Sequence, residues 1–398
     1  MYRNLRAILL GATSVILMAS AGHAADQVAA PPAAGFNWSG FYVGVGGGFG
    51  AVSYNTGIGF GDLGGGGAFG ELTAGYDHML TDRLLLGGFI DTNLGNIGPE
   101  LKGFVGPGTA KLTNRYGFDV GARLGYVLNA SSLGYVLGGY TWQQIKGSGA
   151  GASGHENLDG YVLGLGMETA ITSNWSIKTE YRYAHYSKDG VEPVTHTFHI
   201  AANYRFGAGG TGPAIASPAY DWTGFYVGAS IGAGEAVNDL SLGGVVDLNG
   251  ITGDGLFGEL NAGYDHDFGN FVAGLMIDGN FSGISADLGA LGGHLKSDYG
   301  FDILGRVGIK VNPSSLAYVL GGYSWGHFKM EEGGTSYGWG SSGFSVGGGL
   351  ETAVTTNTTL GIEYRYAQFG SEDFDSAGVF EIKPSSHTVR VGLKYKFN

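Results

Sequence analysis

Trp38-Ser-Gly-Phe-Tyr-Val-Gly44 recurs as Trp222-Thr-Gly-Phe-Tyr-Val-Gly228, and this recurrence decides how the chain is read. It does not stand alone. Phe69-Gly-Glu-Leu-Thr-Ala-Gly-Tyr-Asp-His78 matches Phe257-Gly-Glu-Leu-Asn-Ala-Gly-Tyr-Asp-His266. Ser131–Tyr140 matches Ser314–Tyr323, Glu180-Tyr-Arg-Tyr-Ala184 matches Glu363-Tyr-Arg-Tyr-Ala367, and His196–Phe206 matches His387–Phe397. Two units of about 180 residues are a domain duplication, because solenoid repeats are far shorter. The expected division is a signal peptide at 1–24, a loose Ala/Pro tail at 25–37, a first unit at 38–207, a small-residue linker at 208–219 and a second unit at 220–398.

Within a unit the period is two. Trp175, Ile177, Thr179, Tyr181 and Tyr183 fall on one face of a strand, and Ser176, Lys178, Glu180 and Arg182 on the other. The last stretch sets Val389, Val391, Leu393, Tyr395 and Phe397 against Arg390, Lys394 and Lys396. Eight such strands are expected in the first unit, centred near residues 46, 72, 90, 120, 138, 165, 180 and 201. Short connections at 81–82, 129–130 and 173–174 alternate with long ones at 55–65, 97–113, 147–157 and 187–195, the pattern of a transmembrane barrel. None of the 9 Pro is expected to interrupt a ladder; Pro384, for one, is placed in a long loop.

Composition and address agree. The 398 residues include 79 Gly, 23 Tyr and 22 Phe but no Cys, and only 14% are charged. Disordered chains have few aromatics, and collagen needs a strict Gly period. Arg3 and Arg6, the apolar Ala7–Ser20 and Gly22-His23-Ala24 read as an export signal cleaved after Ala24. Beyond it no run of about 18 apolar residues occurs, so no membrane-spanning helix is expected. The net charge of −13 excludes a nucleic-acid partner, which wants a basic surface.

The polar face interleaves Gly with both signs of charge. The first unit carries Glu71, Asp91, Asp119, Arg123, Glu168, Glu180 and Arg182 there; the second carries Glu259, Asp278, Asp302, Arg306, Glu351, Glu363 and Arg365. An eight-stranded barrel is just wide enough inside for side chains, and opposite charges in so poorly hydrated a bore must pair. These residues are therefore expected to form a structural ion-pair network in the lumen. The apolar face, with Trp and Tyr towards strand ends, would meet lipid.

The export signal, the Trp-Ser/Thr-Gly-Phe-Tyr-Val-Gly stretch, the Glu-Tyr-Arg-Tyr strand and the terminal Tyr395-Lys-Phe397 resemble the alphaproteobacterial outer-membrane immunogenic (RopB-type) β-barrel proteins, which are similar to the transmembrane domain of OmpA. The resemblance covers both halves. It implies an all-β fold of two tandem eight-stranded antiparallel up-and-down transmembrane β-barrels. The alternative is one fused barrel of about sixteen strands, wide enough for an aqueous channel. The resemblance also implies insertion by the outer-membrane assembly machinery, with Tyr395 and Phe397 in the strand it reads, and antigenic surface loops. Family members end on Phe, whereas Asn398 follows Phe397 here. The peptidoglycan-binding domain of full-length OmpA is expected to be absent.

Chemistry candidates are weak. Gly228-Ala-Ser-Ile-Gly232, Gly334-Thr-Ser-Tyr-Gly338 and Gly343-Phe-Ser-Val-Gly347 match a nucleophile elbow, but that motif needs a strand-turn-helix setting. Gly149–Gly154 matches a dinucleotide fingerprint with no helix after it. His196 and His199 lie three apart, so a strand points them to opposite sides; His196 is placed at the rim and His199 in the lumen. Ser371-Glu-Asp-Phe-Asp375 reads as a solvated loop without ordered Ca²⁺ ligand spacing. No catalytic set, cofactor or metal is expected. The expected function is structural and surface-exposed, in the outer membrane, contributing to envelope integrity and environment or host contact. Its expected partners are outer-membrane lipid and lipopolysaccharide, the assembly machinery, and loop ligands. The alternative is a small-solute porin built on the fused barrel.

Overall fold

The computed structural model describes residues 35–55, 61–102, 108–149, 151–188, 192–207, 212–242, 246–289, 292–373 and 380–397. The expected signal peptide, most of the tail, the start of the linker and Asn398 lie outside the described residues. No α-helix occurs among them.

The first unit is built from β1 (Gly40–Asn55), β2 (Asp62–Met79), β3 (Leu84–Ile97), the short β4 (Glu100–Lys102), β5 (Thr109–Asn129), β6 (Ser132–Gly149), β7 (Ala152–Ala170), β8 (Trp175–Ser187) and β9 (Val194–Arg205). Each long strand pairs antiparallel with the next, and β9 returns to β1 from Tyr42↔Arg205 to Ser53↔Val194. The eight expected strand centres all fall inside these long strands. The second unit repeats the plan with β10 (Gly224–Leu242), β11 (Val246–Asp267), β12 (Phe271–Ser282), the short β13 (Ser285–Asp287), β14 (His294–Asn312), β15 (Ser315–Glu332), β16 (Thr335–Ala353), β17 (Thr358–Phe369), the short β18 (Glu372–Asp373) and β19 (Phe380–Lys396). It closes on itself through β10–β19, from Tyr226↔Lys396 to Leu242↔Phe380. Each half therefore shuts its own wall. In the fused barrel β9 would have paired with β10; its edge is taken by β1 instead.

Several boundaries differ from the sequence reading. The strands run far into the long connections: β6 and β7 pair to Gly149↔Ala152, leaving a tight turn where 147–157 reads as a loop. Within 97–113, β4 folds back on β5. Pro384 sits inside β19, not in a loop. It is tolerated because β17 pairing stops at Gln368↔Ser385 and β18 takes over only at Glu372↔Ile382, so that ladder is interrupted at the proline. The end of the tail and the described part of the linker are not loose either. Phe36 and Ile215 are buried in one cluster, and the Gly35 amide donates to Pro213 O at 3.2 Å.

The barrels stand side by side along a seam. Near the short-turn end, Ser132 and Ser315, equivalent residues of the two units, meet Oγ to Oγ at 3.1 Å. Asn129 donates to Thr352 Oγ1 (3.0 Å) and Ala353 O (2.8 Å); its equivalent Asn312 donates to Thr169 Oγ1 (3.1 Å) and Ala170 O (2.9 Å). Mid-height, Met167, Tyr181 and Phe198 pack with Leu350, Ile362, Tyr364 and Val389. At the far end Thr252 donates to Ser53 Oγ at 2.8 Å, and β4 pairs with β11 at Leu101↔Leu248.

Candidate functional site: two charged lumens

The motif Trp38–Gly44 begins before its strand. Gly40 and Gly224 adopt φ +125° and +139°, a conformation that residues with a Cβ rarely take. The chain turns there, and the preceding indole swings into the barrel mouth. Trp38 is 0% exposed and Trp222 2% exposed. Trp38 lies edge-on to Phe36 at 4.6 Å between centroids, and Arg205 NH1 donates to its carbonyl at 2.6 Å. Trp222 lies edge-on to Tyr220 at 4.7 Å and donates Nε1–H to Pro313 O at 3.3 Å. These tryptophans plug the short-turn ends of the lumens; they are not part of an outer aromatic girdle.

Above the plug of the first barrel sits an ion-pair layer. Arg123 is bidentate on Asp77 (Nε–Oδ1 2.9 Å, NH2–Oδ2 2.5 Å) and reaches Glu168 with NH1 at 2.9 Å. Arg205 NH2 shares Asp77 Oδ2 at 2.8 Å. Ser176 and Asn203 donate to the other Glu168 oxygen at 2.5 and 3.1 Å. The Arg123 guanidinium lies 4.8 Å from the centroids of both Tyr42 and Tyr135. The next layer centres on Arg182, hydrogen-bonded to Glu180 (Nε 3.0 Å, NH2 2.5 Å) and Asp119 (2.8 Å) and ion-paired with Asp91 at 2.6 Å. Lys178 bridges Glu71 at 3.4 Å and Glu180 at 3.3 Å, and His199 Nδ1 lies 2.6 Å from Glu71. Each layer spans the bore: Asp77, Arg123, Glu168 and Arg205 come from β2, β5, β7 and β9.

The second lumen keeps the plan with altered parts. Arg306 contacts Asp265 (Nε 2.8 Å) and Glu351 (NH1 2.9 Å). Arg365 bonds Glu363 (2.9 and 2.6 Å), Asp278 (2.8 Å) and Asp302 (2.7 Å), while Arg390 pairs with Glu259. Lys178 has Gly361 as its counterpart, so its ammonium is missing from the equivalent strand. Lys394 on β19, where the first unit has Asn203, restores an ammonium and reaches Glu351 at 2.9 Å. The cation has moved between strands, and it still pairs with a buried lumen carboxylate.

Glu71, Asp119, Arg123, Glu168, Glu180 and Arg182 are thus gathered in one lumen, and Glu259, Asp302, Arg306, Glu351, Glu363 and Arg365 in the other, all buried. Sequence reasoning passed over Asp77 and Asp265, though counting in twos from Glu71 or Glu259 reaches them. It also left out Arg205, whose partner is the plug. The lumen glycines make room for these side chains. A Cβ on Gly87 would overlap the Asp77 carboxylate, and one on Gly75 the Tyr42 hydroxyl; Gly274 and Gly263 stand in the same relation to Asp265 and Tyr226.

Tyr135 OH donates to Glu180 at 2.6 Å, and its counterpart Tyr318 OH to Glu363 at 2.8 Å. Tyr135→Phe should lower the unfolding free energy by about 1.5–3 kcal/mol, the range for a hydrogen bond to a charged group. Urea unfolding from lipid vesicles, wild type against variant, measures it, and Tyr318→Phe should behave alike.

The other candidates fall elsewhere. His199 is in the lumen, whereas His196 faces outward. It is buried between the barrels, with Nδ1 2.7 Å from Tyr181 OH and Nε2 4.0 Å from Asp254 of the second barrel. The rim position expected for it overlooks that a second barrel covers this outer face. Two nucleophile-elbow matches lie within β10 and β16, and the third begins at Gly334 in the β15–β16 turn and continues into β16. Of Gly149–Gly154, Gly149 ends β6 and Ala152–Gly154 open β7, while residue 150 lies outside the described ones, as do the last two of Ser371–Asp375. Among the described residues no group of three His, Asp or Glu is placed to hold a metal. Tyr395 and Phe397 point outward, half exposed, their rings edge to face at 5.6 Å.

Closed antiparallel walls, charged and plugged interiors, and outward bands that leave Phe225 66%, Leu275 69% and Phe281 76% exposed define an outer-membrane β-barrel protein. The chain belongs to the outer membrane protein beta-barrel domain family, whose profile matches residues 15–206 and again 208–397. It is 32% identical over 187 residues to a 22 kDa outer membrane protein of Rhizobium leguminosarum bv. viciae, covering 45% of this chain and 80% of that protein. It is 28% identical over 236 residues to the 31 kDa outer-membrane immunogenic protein of Brucella melitensis, covering 49% of this chain and 98% of that one. Among solved structures, Neisserial surface protein A is 20% identical with a TM-score of 0.31, covering 44% of this chain and 98% of that protein.

Proposed function

We propose that the chain is an exported, structural, surface-exposed integral protein of the outer membrane, contributing to envelope integrity and to contact with the environment or a host, and that it carries out no catalysis. What supports this reading is the interior of each barrel: layers of paired charges cross the lumen from several strands, and a buried tryptophan stands at its short-turn end. On this reading residues 1–24 are a cleaved signal peptide and the charged lumen residues have a purely structural role. The partners are outer-membrane lipid and lipopolysaccharide against the outward band, the assembly machinery acting on the strand that carries Tyr395 and Phe397, and environmental or host ligands at the outer hairpins.

Planar-bilayer recording of the purified chain should give no large stable conductance; a large, steady pore would sink the proposal. Deletion of the gene should raise sensitivity to detergents and bulky antibiotics. Unchanged sensitivity would remove the envelope role.

A further inference from the structure

The seam has the form of a two-fold interface. Ser132 meets its own equivalent Ser315, and the Asn129 contacts with Thr352 and Ala353 are repeated by Asn312 with Thr169 and Ala170. Self-pairing on an axis with mirrored pairs beside it is what an isologous contact shows. Thr169 and Thr352 complete the cluster, at 3.0 Å from Ser315 and 2.9 Å from Ser132.

Outward positions that would meet lipid are buried there: Phe198 is 1%, Leu350 0% and Ile362 4% exposed. The Phe198 and Tyr364 rings stack across the seam at 5.4 Å, and Phe49 stacks on Tyr364 at 6.0 Å. Lipid tails are as apolar as these side chains. Association within the bilayer must therefore come from close packing and from hydroxyl and amide hydrogen bonds, and the seam supplies both. The described linker contacts lie only at the short-turn end, through Pro213, Ile215 and Pro218, whereas the seam continues to Ser53–Thr252 and β4–β11.

We propose that the seam is a self-sufficient docking surface: each barrel carries a face that takes a second copy of its own kind, so the seam and not the linker holds the pair together. The tandem chain is then a covalent two-fold dimer whose pairing faces are both consumed.

The test uses the full chain with a protease site inserted at Gly209–Gly210 and, since the chain has no Cys, a Ser132→Cys/Ser315→Cys pair. The chain is cleaved in outer-membrane vesicles and then oxidised. Both fragments should remain heat-modifiable and run as one band without reductant. Without oxidation they should co-purify from mild detergent. In the same background but without the cysteine pair, Asn129→Ala with Asn312→Ala should raise the released fraction at least tenfold. Heat-modifiable fragments that separate and do not cross-link would overturn the proposal. So would loss of heat-modifiability on cleavage, or equal retention by the asparagine variant.

Discussion

Arg123→Ala should destabilise the first barrel by about 3–5 kcal/mol, the usual cost of removing one partner from a buried ion pair. The substitution leaves Asp77 and Glu168 facing a dry bore, with Arg205 alone to answer both: 2.8 Å to Asp77 and 3.8 Å to Glu168. It also removes the cation stacked between Tyr42 and Tyr135. Heat-modifiability on gels and urea unfolding in vesicles read the effect, and a loss below about 1 kcal/mol would place this pair in the class of exposed salt bridges. Arg306→Ala should act in the same way on the second barrel. Arg123→Ala/Asp77→Ala/Glu168→Ala/Arg205→Ala, which removes all four charges of the layer together, should be less damaging than the single variant. Most of the penalty belongs to the stranded carboxylates, not to the lost attraction.

Trp38→Ala is the second large effect, about 3–5 kcal/mol for a buried Trp truncated to Ala. The indole is wholly buried in the core cluster of the first barrel, edge-on to Phe36. Because each wall closes on itself, the loss should fall on the first barrel alone, and Trp222→Ala on the second alone. Site-specific proteolysis of refolded protein distinguishes the halves. Equal loosening of both would show that the plugs stabilise the pair as a unit.

Much of this was legible before any coordinates. Glu180 and Arg182 alternate with Tyr181 and Tyr183, and a period of two admits only one sorting: charges to one side, rings to the other. The glycines on the charged face announced a crowded bore. The alternation says nothing of where Trp38 goes, because it precedes the first strand. The signal was its Gly40, which permits the turn that sends the indole inward. Tyr181 falls on the apolar face in the sequence, but that label does not distinguish lipid from protein. Which outward residues a neighbour covers depends on how the closed wall curves, and no local pattern encodes it.

The sequence by itself determined the duplication, the long strands and the two faces of those that alternate, because these follow from repetition and from the alternation of a pleated chain. The tertiary structure alone decided where β1 and β10 find their closing partners. Ladder hydrogen bonds do not discriminate, since β9 offers the same N–H and C=O groups to either strand. The choice is consistent with the charges that meet once the bore is narrow: only an eight-stranded circle brings Asp77, Arg123, Glu168 and Arg205 within bonding distance across it.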